Sequence, residues 1–207
     1  MQESTKINKR PRGRPRAFDP PQALTQILMT FWRHGFAATS LDQLAAAAGM
    51  NRPSLYAAFG DKKSMYRRAL EAFAAQMREE IATALAHPKL ATSLRRFYRG
   101  AINLYLSGSD GPRGCLYVCT AAVETVQDAE IRQDVIGVLT EIDEVLAARI
   151  KQAQREEKAA LGADAATLGR LAGSVLHSIA IRARAGQPRR QLEALATSTV
   201  ALICAGG

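Results

Sequence analysis

The chain has 207 residues, 47% of them hydrophobic, with three cysteines and a formal net charge of +9. That is enough apolar material for a real core, as one medium domain or as a small head with a larger body. Three cysteines do not make a disulfide framework, no apolar run reaches the roughly 18 residues of a membrane span, and the charged N-terminus has no apolar signal region. The expected home is a reducing cytoplasm, with no membrane partner.

The first segment is a basic arm. Lys6, Lys9, Arg10, Arg12, Arg14 and Arg16 face only Glu3 within residues 1–16, a net +5 that leaves +4 for the other 191 residues. A basic arm before a nearly balanced body points to a polyanion. Its core, Arg10-Pro11-Arg12-Gly13-Arg14-Pro15-Arg16, resembles an AT-hook. Gly lets the backbone approach a groove floor, the prolines keep the chain extended, and Arg12, Arg14 and Arg16 suit a narrow, negative minor groove. A plain phosphate tether is the other reading, and without DNA the arm is expected to be disordered.

Beyond the arm there is no strand pattern, and Ala and Leu dominate. Breakers at Pro20-Pro21, Gly35, Gly49, Gly60, Pro88, the stretch 107–114, Gly162 and Gly186-Gln187-Pro188 cut the rest into helix-sized pieces. The expectation is an all-α fold of about nine helices, near 21–34, 41–48, 52–59, 62–86, 90–106, 114–126, 128–160, 164–185 and 188–204. The apolar spacing Leu94, Phe97, Tyr98, Ala101, Ile102, Tyr105 gives one of these helices a single buried face.

Residues 39–59 carry the strongest signal. Ser40 can cap a helix, with Gln43 three residues on to close a capping box. Leu44, Ala45 and Ala48 make a packing face, and Gly49 can end the helix in a tight turn with φ > 0. Asn51 suits the N-cap of a second helix, Pro53 sits in its first turn, and Leu55 and Phe59 pack inward. This is a helix-turn-helix, whose second helix enters the major groove.

Leu44-Ala45, Ala48-Gly49-Met50-Asn51, Ser54-Leu55-Tyr56, Phe59 and Asp61-Lys62 resemble the DNA-binding signature of the TetR family. The preceding Ala23, Leu24, Ile27, Leu28, Phe31, Trp32 and His34-Gly35-Phe36 are similar to its first helix and turn. The likeness covers roughly residues 20–75, with Arg52-Pro53 a departure from the small or flexible residues common there. It implies a disordered arm at 1–16, a DNA-binding domain at 17–80 and a sensing and dimerisation domain at 81–207. It further implies a transcriptional regulator, usually a repressor, that binds a palindromic operator in double-stranded DNA as a homodimer.

On the recognition helix, Arg52 and Ser54 are candidates for base edges, beside Pro53. Tyr56 and Lys62 match positions that usually touch phosphate in the family; for Tyr56 the alternative is a packed aromatic. Thr39 and Ser40 stand at a helix N-terminus that can attract phosphate, and Ser40 and Asn51 can serve as caps as well.

In the body the two last long helices are the expected interface, by resemblance to the family. Gly169 and Gly173 permit close approach, and Leu168, Leu171, Val175, Leu192, Leu195, Thr199, Leu202 and Ile203 supply apolar surface. Phe97, Tyr98, Tyr105, Leu116, Tyr117, Val118 and His177 are candidates to line a pocket for a small-molecule inducer; each can equally be core. Cys115 and Cys119, near Arg113 at a helix start, are either sensors with lowered pKa or small buried hydrophobes, and Cys204 reads as core or interface. No metal or cofactor is expected, and no enzyme motif is present. The competing reading is an architectural DNA-binding protein of low specificity.

Overall fold

The computed structural model describes residues 19–108, 110–157 and 161–204; Arg12, Arg14 and Arg16 of the arm lie outside the described residues. Within these the molecule is all-helical: α1 (Pro20–Ala38), α2 (Leu41–Ala47), α3 (Arg52–Phe59), α4 (Lys62–Leu85), α5 (Leu90–Leu106), a π-helical turn at Tyr117–Ala121 leading into the short α6 (Ala122–Glu124), α7 (Ala129–Glu156), α8 (Ala165–Arg184) and α9 (Arg189–Cys204).

The boundaries follow from local chemistry. Pro sits in the first turn of α1 and of α3, where a missing N–H costs no hydrogen bond. Asp61, Asp128 and Asp164 cap α4, α7 and α8 through their carboxylates. Two expectations fail in informative ways. The first helix does not stop before Gly35 but continues to Ala38 across a kink at that residue. The single helix expected over 114–126 is an irregular connection followed by the π turn and one α turn. Gly114 has φ +66°, so the chain bends where the helix was expected to begin.

Helices α1 to α3 form a head around Ile27, Phe31, Leu44 and Leu55, all fully buried. Phe31 meets the ring of Tyr66 edge-on at 4.9 Å, and Trp32 meets Phe73 in the same way at 4.8 Å. Both partners belong to α4, so the first half of α4 is the floor of the head. The division expected near residue 80 falls inside this helix, and one continuous cluster of buried residues includes both its sides.

In the body α7 packs most extensively on α8. A Cβ on Gly169 would lie 2.8 Å from Ala147 N and Asp143 O, and one on Gly173 would collide with the Asp143 carboxylate. The close approach that these glycines allow is thus within the chain, not between two subunits. Leu168, Leu192, Thr199 and Ile203 are buried in the same core, while Leu171, Ile181 and Leu202 remain exposed on α8 and α9, with Val175 and Leu195 half-buried.

The head is riveted to the body. The Trp32 indole donates to Gly114 O at 3.1 Å. Arg184, at the end of α8, donates to Trp32 O at 3.2 Å and to Arg113 O at 2.9 Å. Tyr66 and Thr120 share a buried hydrogen bond of 2.9 Å.

Candidate nucleic-acid interface and sensor cavity

The turn between α2 and α3 is built as its residues require. Ser40 accepts from the Gln43 N–H at 3.2 Å while the Gln43 side chain accepts from the Ser40 N–H at 2.7 Å, a reciprocal capping box. Gly49 carries the turn at φ +63°. Asn51 caps α3 by accepting from the Ser54 N–H at 2.8 Å. Leu55 and Phe59 anchor α3 inward, which turns its other face to solvent: Arg52, Pro53 and Tyr56 are exposed and Ser54 is half-buried. An eight-residue helix held on one side and bare on the other, with a cation and a phenol on the bare side, fits a DNA major groove.

The sequence profile of the bacterial regulatory proteins of the tetR family matches residues 24–69. Over 204 residues, 97% of this chain and 96% of the other, the sequence is 28% identical to the HTH-type transcriptional repressor ComR of Escherichia coli (strain K12). Over 69 residues, 33% of this chain and 35% of the other, it is 42% identical to the HTH-type transcriptional repressor BdcR of the same organism. The fold superposes with a TM-score of 0.83 and 27% identity on a cysteine mutant of the TetR family transcriptional regulator CifR complexed with 26bp double-strand operator DNA, covering 92% of this chain and all of that one. Residues 24–69 thus match the DNA-binding segment of the tetR family of bacterial regulatory proteins.

The regulator's candidate DNA residues are not equally placed. Arg52 is held by Asp42 of α2, its Nε donating at 2.6 Å and its Nη2 pairing with the second oxygen. This pairing holds the Asp42 carboxyl below its usual range. Lys62 is half-buried, with its ammonium 4.6 Å from the centre of the Phe36 ring and 3.4 Å from Ala37 O. Thr39 differs from expectation: it is 1% exposed, and its hydroxyl donates to Gly35 O at 2.6 Å. It braces the kink of α1 rather than facing solvent, while its neighbour Ser40 is exposed. Sequence reasoning misses the pairing partner Asp42, because α2 and α3 meet only once the turn is folded.

Most of the candidate pocket residues are buried. Phe97, Tyr98, Tyr105, Cys115, Leu116 and Tyr117 are each at most 3% exposed. Tyr98 donates to Ala172 O at 2.9 Å, tying α5 to α8. The space beside Phe97 and Tyr105 is about 40 Å³, room for one water. His177 and Val118 are half-buried, and His177 Nε2 has no partner among the described residues.

A large cavity lies elsewhere, between α4 and α7, with a volume of about 570 Å³. The pairs Lys63–Asp128 at 2.8 Å, Arg67–Asp134 at 2.7 Å and Arg78–Glu141 at 2.7 Å rise together in number, so the two helices run parallel away from the head. Beyond the last pair, Ala82, Ala86 and Ala148 do not fill the gap between them. These alanines are the legible signal, but small residues mark close packing as often as open space. A second cleft of about 560 Å³ at the head–body joint is walled by Arg33, Asp110, Arg113 and Arg184. Several of their groups are already engaged there, in the Arg33–Asp110 pair at 2.9 Å and the Arg184 bonds to carbonyls.

Of the two readings open for the thiols, burial prevails over activation. The N–H groups of Tyr117 and Val118 do lower the Cys115 pKa, yet burial outweighs them and pushes the thiol up to about 11. Cys119 is raised by the same cause. Arg113 points away, its guanidinium 5.4 Å from the Trp32 ring centre. Among the described residues no group of three or more His, Cys, Asp or Glu could hold a metal, and no helix is long and apolar enough to cross a membrane.

Proposed function

We propose that this regulator is a repressor, bound to a palindromic operator as a homodimer and released when a small molecule enters the α4–α7 cavity. The observation that carries the reading is α4 itself, a single helix of 24 residues. Its first half is the floor of the DNA-binding head, and its second half is one wall of the cavity. A ligand that wedges α4 from α7 therefore acts on the element that sets the angle of the head, and its differential affinity for the two states supplies the work. The likeness to the repressors ComR and BdcR, and to CifR complexed with operator DNA, supports the sign of regulation and the type of partner.

The exposed Leu171, Ile181 and Leu202, at 45%, 55% and 75%, favour α8 and α9 as the surface shared with a second copy. Two heads then meet two half-sites. Cys115 and Cys119 fit a structural role better than a sensing one, since both are shifted away from the thiolate. Expression as a cytoplasmic protein follows from the same function.

Fragments selected from random DNA should yield one palindromic motif, and a footprint should protect a single region. Uniform coating of the DNA would instead mark an architectural protein. A ligand found by screening for operator release should lose its effect in Val145→Trp, which fills the cavity; an unchanged response would place the sensing site elsewhere.

A further inference from the structure

The α4–α7 cavity, read as the sensing site, has one wall group that narrows its ligand. Arg149 of α7 lines the end farthest from the head, and its side chain is only 6% exposed. Its hydrogen bonds among the described residues all leave from Nη2, to His87 O at 3.1 Å, Pro88 O at 2.8 Å and Glu157 Oε1 at 3.0 Å. Nε and Nη1 make none there. A guanidinium stays charged and has five N–H donors, so the donors on those two nitrogens go unanswered among the described residues, beside an open space. Glu157 is already occupied, because both its oxygens also accept from the Leu90 N–H, at 3.0 and 3.1 Å.

The remaining wall separates by chemistry. Toward the head, Arg78 and Glu141 neutralise one another. Between that pair and Arg149 the surface is apolar, from Met77, Ile81, Ile142 and Val145. At the far end Arg155 adds a cation and Glu156, which accepts from Gln152 at 3.0 Å, an anion, so the two offset one another. Glu157 pairs with Arg149 through Nη2 alone, so the remaining N–H donors of the guanidinium, at one end of an apolar trough, suit a carboxylate on an apolar body.

We propose that the cavity binds a small amphipathic carboxylate, its carboxylate accepting from the free N–H groups of Arg149 and its hydrocarbon lying along α4 and α7. This rests on the reading of the cavity as the sensing site. The test uses the full chain with sodium octanoate, sodium decanoate, 1-octanol and octylamine, reading melting temperature and operator retention in a gel shift. The carboxylates should stabilise the protein and release the operator, with octanol and octylamine weaker by about ten-fold or more, the worth of one charge-assisted hydrogen bond. Val145→Trp, which leaves Arg149 in place, should abolish the carboxylate effect. Arg149→Lys should weaken it, judged against that variant's own ligand-free melting because Arg149 also ties the α4–α5 corner.

Equal or tighter binding of octanol or octylamine would overturn the proposal. So would a carboxylate effect that survives in Val145→Trp, or no binding by any of the four probes. Carboxylate binding that leaves the operator bound would keep the ligand class and overturn the release reading. Release by octanol alone, lost in Val145→Trp, would do the reverse.

Discussion

At the scale of the residue, Arg52 shows how a DNA-reading group is stored. Its pair with Asp42 is fully exposed, and exposed pairs contribute little to stability. The side chain can therefore exchange a carboxylate for a guanine edge at small cost, having been kept extended beside α2. Arg52→Ala should relax preference at one or two base positions, lowering affinity about ten-fold per half-site for the preferred sequence. Lys62→Ala should weaken all sequences about equally, as removal of a phosphate-binding cation does. Selection from random DNA checks both, and an unchanged consensus for Arg52→Ala would remove its base-reading role. His177 makes a second prediction. Burial lowers its pKa, partly opposed by the charge of Asp143. The unfolded chain therefore takes up a proton at this site before the folded one does, and stability should fall as pH drops below about 6.5 until the folded histidine also protonates. Asp143, shifted up by burial, acts with the opposite sign at lower pH, in the carboxylate range. Chemical denaturation between pH 7 and 5 should show the decline, and a His177→Gln variant should flatten it.

At the scale of the element, two glycines make a controlled comparison. Gly114 stands at the bend that replaces the start of an expected helix. A Cβ there would sit 2.6 Å from Cys119 Sγ and 2.7 Å from Ala180 O, with φ at +66°. Gly114→Ala should destabilise by more than about 1 kcal/mol, since both the backbone and the neighbours resist it. Gly137 lies exposed within α7, and a Cβ there would meet nothing within 4 Å. Gly137→Ala should stabilise by about 0.5–1 kcal/mol through reduced backbone freedom in the unfolded chain. Thermal melting separates the two, and equal effects would mean that the bend at Gly114 is not under constraint. The same bend carries the carbonyl that receives the Trp32 indole, so the Gly114→Ala protein should also lose operator affinity at temperatures where it remains folded.

For the whole molecule, charge is divided between an arm and a body with different tasks. Deleting residues 1–16 removes six cations and one anion. The buried cluster begins at Ala23, so the melting temperature should hardly move. Operator affinity should fall, and its salt dependence should flatten by about 0.9 for each phosphate that is no longer neutralised. Sites flanked by A·T runs should lose more than sites flanked by G·C, because A-tracts hold the narrow, negative groove that attracts arginine. Equal losses on both flanks would reject the minor-groove reading and keep the electrostatic one.

The helix-turn-helix is legible because its information is local. Ser40 with Gln43, Gly49, and Asn51 before Pro53 each act on neighbours within a few residues, through caps and one left-handed turn, so their spacing alone specifies the motif. The all-α class follows from breakers and period for the same reason. Spacing leaves residues 97, 98, 105 and 116 open between core and pocket lining, because an apolar face at helical period says only that something covers it. Whether that cover is complete, as over Phe97 and Tyr98, or leaves about 570 Å³ between α4 and α7, depends on how far apart two helices stand that are distant in the chain. Both readings of Cys115 are open in the sequence: the nearby N–H groups are foreseeable, but the burial that outweighs them is decided only in the folded core. The chain alone decides what its near neighbours dictate; the free space, the buried charge of Arg149 and the raised thiols arise only when separate helices pack together.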